Sequence, residues 1–258
     1  MKIALVTTFN KRLYDYYAHN FIESYNWPFD LYVYHEGWHP AKEGIFFRDI
    51  HKYNPELQEF IDRNSPKNVD SQYEKHKETT TDYKMDAIRF AYKIFAKTHL
   101  MLDCDYDYVF WADADIIFKK TITEKEVKRK FLPESCAVSF IDRPSYYSEC
   151  GFVGYNLKEP ITKSFIYNLR RYYTKDLLFK EREWHDSYVF WEVLKKIQVQ
   201  YPNVKDFSGH LVNGEGHPLI NCELGKYFDH LKGVRKSEGR SRKRDLLQPR
   251  SENYWNES

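Results

Sequence analysis

Two carboxylates spaced two apart, Asp113 and Asp115, close the hydrophobic run in "DYDYVFWADADIIFKK", Asp105 to Lys120. Short acidic side chains offer hard oxygen ligands that suit Mg²⁺ or Mn²⁺. A divalent ion held there can also carry a diphosphate and offset its charge as it leaves. Taken alone, such a pair reads equally well as an exposed turn. The residues before it set it apart: "YVFWA" is continuously apolar, the mark of a strand buried on both faces. In open α/β sheets, ligands bind beyond the carboxyl ends of such strands. On a strand, a spacing of two would point both acids to one side, while a turn would splay them across one cation.

Other residues have the chemistry to join them. Glu149 precedes the apolar run "CGFVGYNL" and can stand at a cleft edge, where it would meet sugar or acceptor hydroxyls. Gly151 and Gly154 in that run allow close approach of a ligand or another backbone, or else mark a bulge. "REWHDSYVF" brings Trp184, His185 and Asp186 together before a helical run. Asp186 fits either a cleft carboxylate or a helix N-cap, and Trp184 either a sugar-stacking ring or core. Asp186 and Glu149 are the candidate catalytic acids, since an inverting transfer needs a carboxylate to take the acceptor proton. Lys84, with Arg89 as rival, can meet phosphate or stand in solvent. "GHLVNGEGHP", Gly209 to Pro218, is glycine-rich but lacks P-loop spacing.

These residues need a scaffold. "KIALVTTF" and "FDLYVYHEG" read as strands flanking the helical "NKRLYDYYAHNFIESYN", the strand–helix–strand opening of a parallel sheet. "NPELQEFIDRN" reads as a short helix behind an Asn cap. "TDYKMDAIRFAYKIFAKTHLML" gives the strongest helical signal, capped by Thr81 or Asp82, with Met85, Ile88, Tyr92 and Phe95 on one face. "CAVSFIDRP" and "CGFVGYNL" add strands; "TKSFIYNLRRYYTKDLLF" and "HDSYVFWEVLKKIQVQYP" add helices. The polar run "DSQYEKHKETTT" reads as a loop.

"FWADADIIF" resembles the DxD signature of GT-A glycosyltransferases. The resemblance extends to "KIALVTTFN", to the helix containing Lys84, to "ECGFVGYN", to "EWHDSYVFWEV" and to "YFDHLKG", which ends at Gly233. It implies an α/β, GT-A-like, Rossmann-type domain with a central, mostly parallel sheet over residues 1–233. It also implies metal-dependent transfer of a sugar from a nucleotide sugar, a UDP-sugar, to an acceptor. By that resemblance Asp115 coordinates Mn²⁺ or Mg²⁺ directly. Asp113 lies near the ribose or reaches the metal through water, and His230 is the third protein ligand. Thr7, Thr8 and Phe9 touch the nucleotide, Lys84 joins the donor site, and Lys232 or Lys236 steadies the diphosphate. Glu149, Trp184 and His185 face the sugar or acceptor. The late segment departs from the commonest pattern, in which a glycine separates the histidine from the lysine: Leu231 and then Lys232 follow His230 directly.

The bulk properties set limits. At 258 residues and 42% hydrophobic composition the chain can build one sizeable core. A net charge of +2 is too small to imply nucleic acid by itself. The charge is uneven, however: residues 234–258 form a basic tail, and Lys232 to Arg250 hold eight Lys or Arg against two acids. Such a run is usually solvated, yet it would also suit a polyanionic acceptor. That keeps a DNA-modifying glycosyltransferase in view, alongside nucleotidyl transfer and a non-catalytic nucleic-acid-binding protein. The first strand is followed by "VTTFNKR", without the glycine that nucleotidyl transfer leads one to expect. Four dispersed cysteines form no CxxC pair, and no stretch reads as a secretory signal or membrane span. A cytoplasmic protein with free cysteines is the expectation.

Overall fold

A computed structural model describes residues 1–65, 83–143, 146–203, 205–206 and 216–256. The expected loop over 70–81, the caps at Thr81 and Asp82, and positions 209–215 of the glycine-rich loop lie outside these. β1 (Ile3–Phe9), β2 (Asp30–His35), β3 (Ile45–Asp49), β4 (Tyr108–Ala112), β6 (Val138–Ile141), β7 (Glu149–Asn156) and β8 (Lys205–Asp206) form one sheet in the order β3-β2-β1-β4-β7-β6-β8. Four pairings run parallel, and the two made by β7 are antiparallel. This is the central, mostly parallel sheet that the DxD resemblance implied. β3 was not legible, because "IFFRD" is half-buried at the sheet edge and has no clean alternation.

Period-two alternation gives β4 two cores. Val109 and Trp111 enter one cluster with Val6, Ala91, Ile94 and Phe95. Tyr108, Phe110 and Ala112 enter the other with Leu5, Phe21 and Phe152. Four longer helices cover the sheet: α1 (Pro55–Asn64), α2 (Ala87–Asp103), α3 (Pro160–Thr174) and α4 (Asp186–Gln198). α2 starts at Asp86, whose carboxylate accepts the Arg89 amide at 3.1 Å. Its buried face differs from the expected one. Ala87, Ala91, Ile94, Thr98 and Met101 face inward with Phe95, whereas Ile88 and Tyr92 are only half-buried and Met85 precedes the helix. Alanines let the helix lie close to the sheet, and that outweighs the bulk of Ile88 and Tyr92.

A second, two-stranded sheet pairs β5 (Ile116–Phe118) with β9 (Phe228–His230) in antiparallel register. The basic segment beyond Gly233, described as far as residue 256, has residues packed against this sheet. Trp255 is buried, and Tyr254 Oη donates to Asp229 Oδ2 at 2.7 Å, as does the Ser241 amide at 2.8 Å. The Arg250 guanidinium donates to the carbonyls of Ile220 and Cys222. Its basic residues disguised this in the sequence, since Arg235 and Arg242 neutralise Asp245 and Glu238 within the segment itself. No helix among the described residues is long and apolar enough to cross a membrane.

Candidate metal and donor site

The chain turns just past β4. The Asp113 amide donates to the Gly151 carbonyl at 2.8 Å, and the Ile116 amide to the Asp113 carbonyl at 3.2 Å. β5 then runs antiparallel to β9, with Ile116 opposite His230, and the Leu231 amide donates to the Asp115 carbonyl at 2.9 Å. This register, which a one-residue slip would destroy, carries His230 across 115 positions of sequence to the DxD turn. One ligand atom each from Asp113, Asp115 and His230 lie within 4.8 Å of one another.

His230 Nε2 stands 3.1 Å from Asp115 Oδ1, yet Oδ1 is buried with no hydrogen-bond partner, and so is His230 Nδ1. A buried, unsatisfied carboxylate oxygen is costly. Two carboxylates and an imidazole around one point form a donor set that fits a divalent metal ion. The other Asp115 oxygen pairs with Lys236 Nζ at 2.7 Å. Burial pushes the Asp115 carboxyl up, but His230 and Lys236 outweigh it and hold the group below the usual carboxylate range.

A second ion cluster lies beside the first. Lys93 Nζ meets Asp113 Oδ1 at 2.7 Å and Asp186 Oδ2 at 2.8 Å, and donates to the Cys150 carbonyl at 2.8 Å. Burial pulls the Lys93 ammonium down, yet the two carboxylates hold it well above the usual lysine range. The Asp113 oxygen also accepts the Trp111 indole N–H at 2.8 Å. Across the turn, Glu149 Oε2 pairs with Lys232 Nζ at 2.8 Å, and Oε1 accepts the Gly151 amide at 3.2 Å. Burial raises the Glu149 carboxyl, but Lys232, then His230 and Arg143, bring it down to about 2.

The other expected site residues have these partners. Of the two lysines expected at the diphosphate, Lys232 pairs with Glu149, and Lys236, beyond the turn at Gly233 (φ +57°), pairs with Asp115. His185 caps α4, its Nδ1 accepting the Tyr188 amide and its Nε2 meeting Glu183 at 2.8 Å. Asp186 is therefore the first helical residue and not the cap. Trp184 is buried with its ring edge-on to Phe179, so of its two readings it takes the core. Lys84 stands half-exposed, 3.6 Å from Glu183. Thr7 and Phe9 are buried in β1, and the Thr8 hydroxyl donates to the Tyr34 carbonyl at 2.7 Å.

Sequence reasoning missed three residues. Lys93 was signalled only by being a lysine in the apolar stretch "FAYKIFAK". Tyr17 has its ring 4.6 Å from Lys236 Nζ, and its hydroxyl is pushed up by burial and then by Asp115 and Asp113. His217 packs edge-on to His230 at 5.3 Å with both nitrogens unpartnered; burial, then His230 and Lys232, push it down to about 3.

No family model and no curated protein matches the chain. Among solved structures it is similar to apo mouse xyloside xylosyltransferase 1, at 12% identity and a TM-score of 0.46 over 80% of this chain and 84% of that one. It is similar also to the galactosyltransferase LgtC in complex with donor and acceptor sugar analogs, at 11% identity and a TM-score of 0.42 over 79% of this chain and 72% of that one. A third, apo GlyE of Streptococcus pneumoniae, shows 13% identity and a TM-score of 0.42; 81% of this chain spans only 46% of its length. All three are named as glycosyltransferases.

Proposed function

We propose that the chain transfers a sugar from a nucleotide sugar, a UDP-sugar, to an acceptor, in a reaction that depends on a divalent cation. The observation that carries this reading is the convergence of Asp113, Asp115 and His230 within 4.8 Å, with a buried Asp115 oxygen left without a hydrogen bond. These three residues would hold Mn²⁺ or Mg²⁺, which when bound would offset the charge of the departing nucleoside diphosphate. Lys236 adds a cation at the same edge, where it would bind the diphosphate by charge. Asp186 and Glu149 are buried carboxylates kept ionised by Lys93 and Lys232. They are suited to accept hydrogen bonds from sugar hydroxyls and to stabilise positive charge developing on the sugar ring. A carboxyl at about 2 is a weak proton acceptor, so Glu149 acts in this reading through its charge and not as a general base.

Nothing in the geometry favours nucleotidyl transfer or silent nucleic-acid binding over this reading. The test is release of free nucleoside diphosphate from a panel of nucleotide sugars, with Mn²⁺, with Mg²⁺ and with chelator. Metal-dependent release from one donor supports the reading; no release from any donor, at any metal concentration, defeats it.

A further inference from the structure

Lys97 lies one helical turn beyond Lys93 on α2 and is fully buried. Its ammonium nitrogen has no hydrogen-bond partner. It stands 5.8 Å from the centre of the Trp111 ring, which Lys93 faces at 5.3 Å. Trp111 in turn holds Asp113 through its indole N–H. Two ammonium groups and the carboxylates of Asp113 and Asp186 thus share one layer at the site, with Lys97 and Asp186 buried and Lys93 and Asp113 part-buried.

Lys93 is explained by its ion pairs, and Lys97 is not. An unpaired buried ammonium is among the least favourable groups that a core can hold. A methionine of similar length would fill the same space without that penalty. Residues that cost stability in this way are retained where function needs them. Burial pulls the Lys97 ammonium below the usual lysine range, against the Asp186 carboxylate, which favours its proton. Like charges four residues apart on a helix repel, so a cation at Lys97 pushes the Lys93 ammonium outward. It also gives the layer two positive charges for two negative ones. Resting on the donor-site reading above, we propose that Lys97 is a positioning residue: its charge holds Lys93 forward between Asp113 and Asp186, and so fixes both carboxylates for the donor.

The experiment compares Lys97→Met, with Lys97→Leu as a guard against a packing fault peculiar to methionine, with the wild type. Three readings are taken: the thermal midpoint, Mn²⁺ affinity of the metal-free protein by electron paramagnetic resonance, and kcat and KM for donor hydrolysis. Removing an unpaired buried charge should raise the midpoint by a few degrees. Removing a cation behind the ligands should tighten Mn²⁺ binding about threefold. The loss of positioning should lower kcat about tenfold or more while KM stays within about twofold. Variants that keep wild-type kcat overturn the proposal. So do variants that lose stability and activity together or fail to fold, because Lys97 would then be structural. A wild type that releases no nucleoside diphosphate from any donor defeats the functional reading instead. In that event the Mn²⁺ titration alone decides Lys97: tightening supports its charge acting on the carboxylates, and no change overturns it.

Discussion

Asp115 carries the heaviest demand of any residue in the site, being buried, charged and only half satisfied. Asp115→Asn keeps the shape and removes the charge. Its expected effect is a loss of about 100-fold or more in metal-dependent turnover with the fold intact, since a ligand charge at the leaving group is gone. Circular dichroism beside the donor assay separates that outcome from unfolding. Glu149 gives a pH test. Its folded pKa of about 2 lies below the ordinary glutamate value of roughly 4.3, so its stabilising effect is complete above that value. The effect is lost as pH falls from about 5 through 2, up to roughly 3 kcal/mol in all. Glu149→Gln should therefore flatten the fall in thermal midpoint between pH 5 and pH 3 relative to the wild type. The slope is shared with Asp115 and Asp186, whose pKa values are also depressed, so it should shrink without vanishing. An unchanged slope would show that Lys232 does not hold Glu149 as described.

At the level of elements, the site depends on the β5–β9 ladder, and the C-terminal segment holds β9 through Asp229. Tyr254→Phe removes one hydrogen bond to that carboxylate, an interaction of about 1.5–3 kcal/mol, and touches no ligand. It should weaken Mn²⁺ binding several-fold in a calorimetric titration; wild-type affinity would disconnect the segment from the site. Gly151 offers a second lever. A Cβ there would stand 2.8 Å from a Leu219 methyl and 3.2 Å from the His230 ring. Gly151→Ala should displace His230 and weaken Mn²⁺ binding about tenfold, an overpacking cost of about 1–3 kcal/mol. The elements also divide by how readable they were. β1, β2, β4 and α2 announce themselves through long apolar runs, and Asp113 and Asp115 follow from the end of β4. β5 and β9 span three residues each, too few for any period to show, so His230 was placed beside the acids by resemblance alone. Lys93 and Lys97 stayed hidden because a lysine inside an apolar stretch reads as the solvent face of a helix, and only the packing of alanines against the sheet turns it inward.

The molecule places a two-stranded sheet beside the turn that follows the central strand β4, and its small net charge conceals the local concentration of acids and lysines there. A binding site confined to the folded state links metal to stability: Mn²⁺ at a hundred times its dissociation constant should add about 2.7 kcal/mol. The thermal midpoint of the wild type should climb with Mn²⁺, and that of Asp115→Asn should stay flat. The central claim meets its most direct test when Mn²⁺ is titrated into wild type and Asp115→Asn while nucleoside diphosphate release from a nucleotide-sugar panel is followed. The expected result is release by the wild type that saturates with Mn²⁺ and disappears with chelator, and none above background from the folded Asp115→Asn chain. Release at equal rates from both chains, with or without the ion, would contradict it.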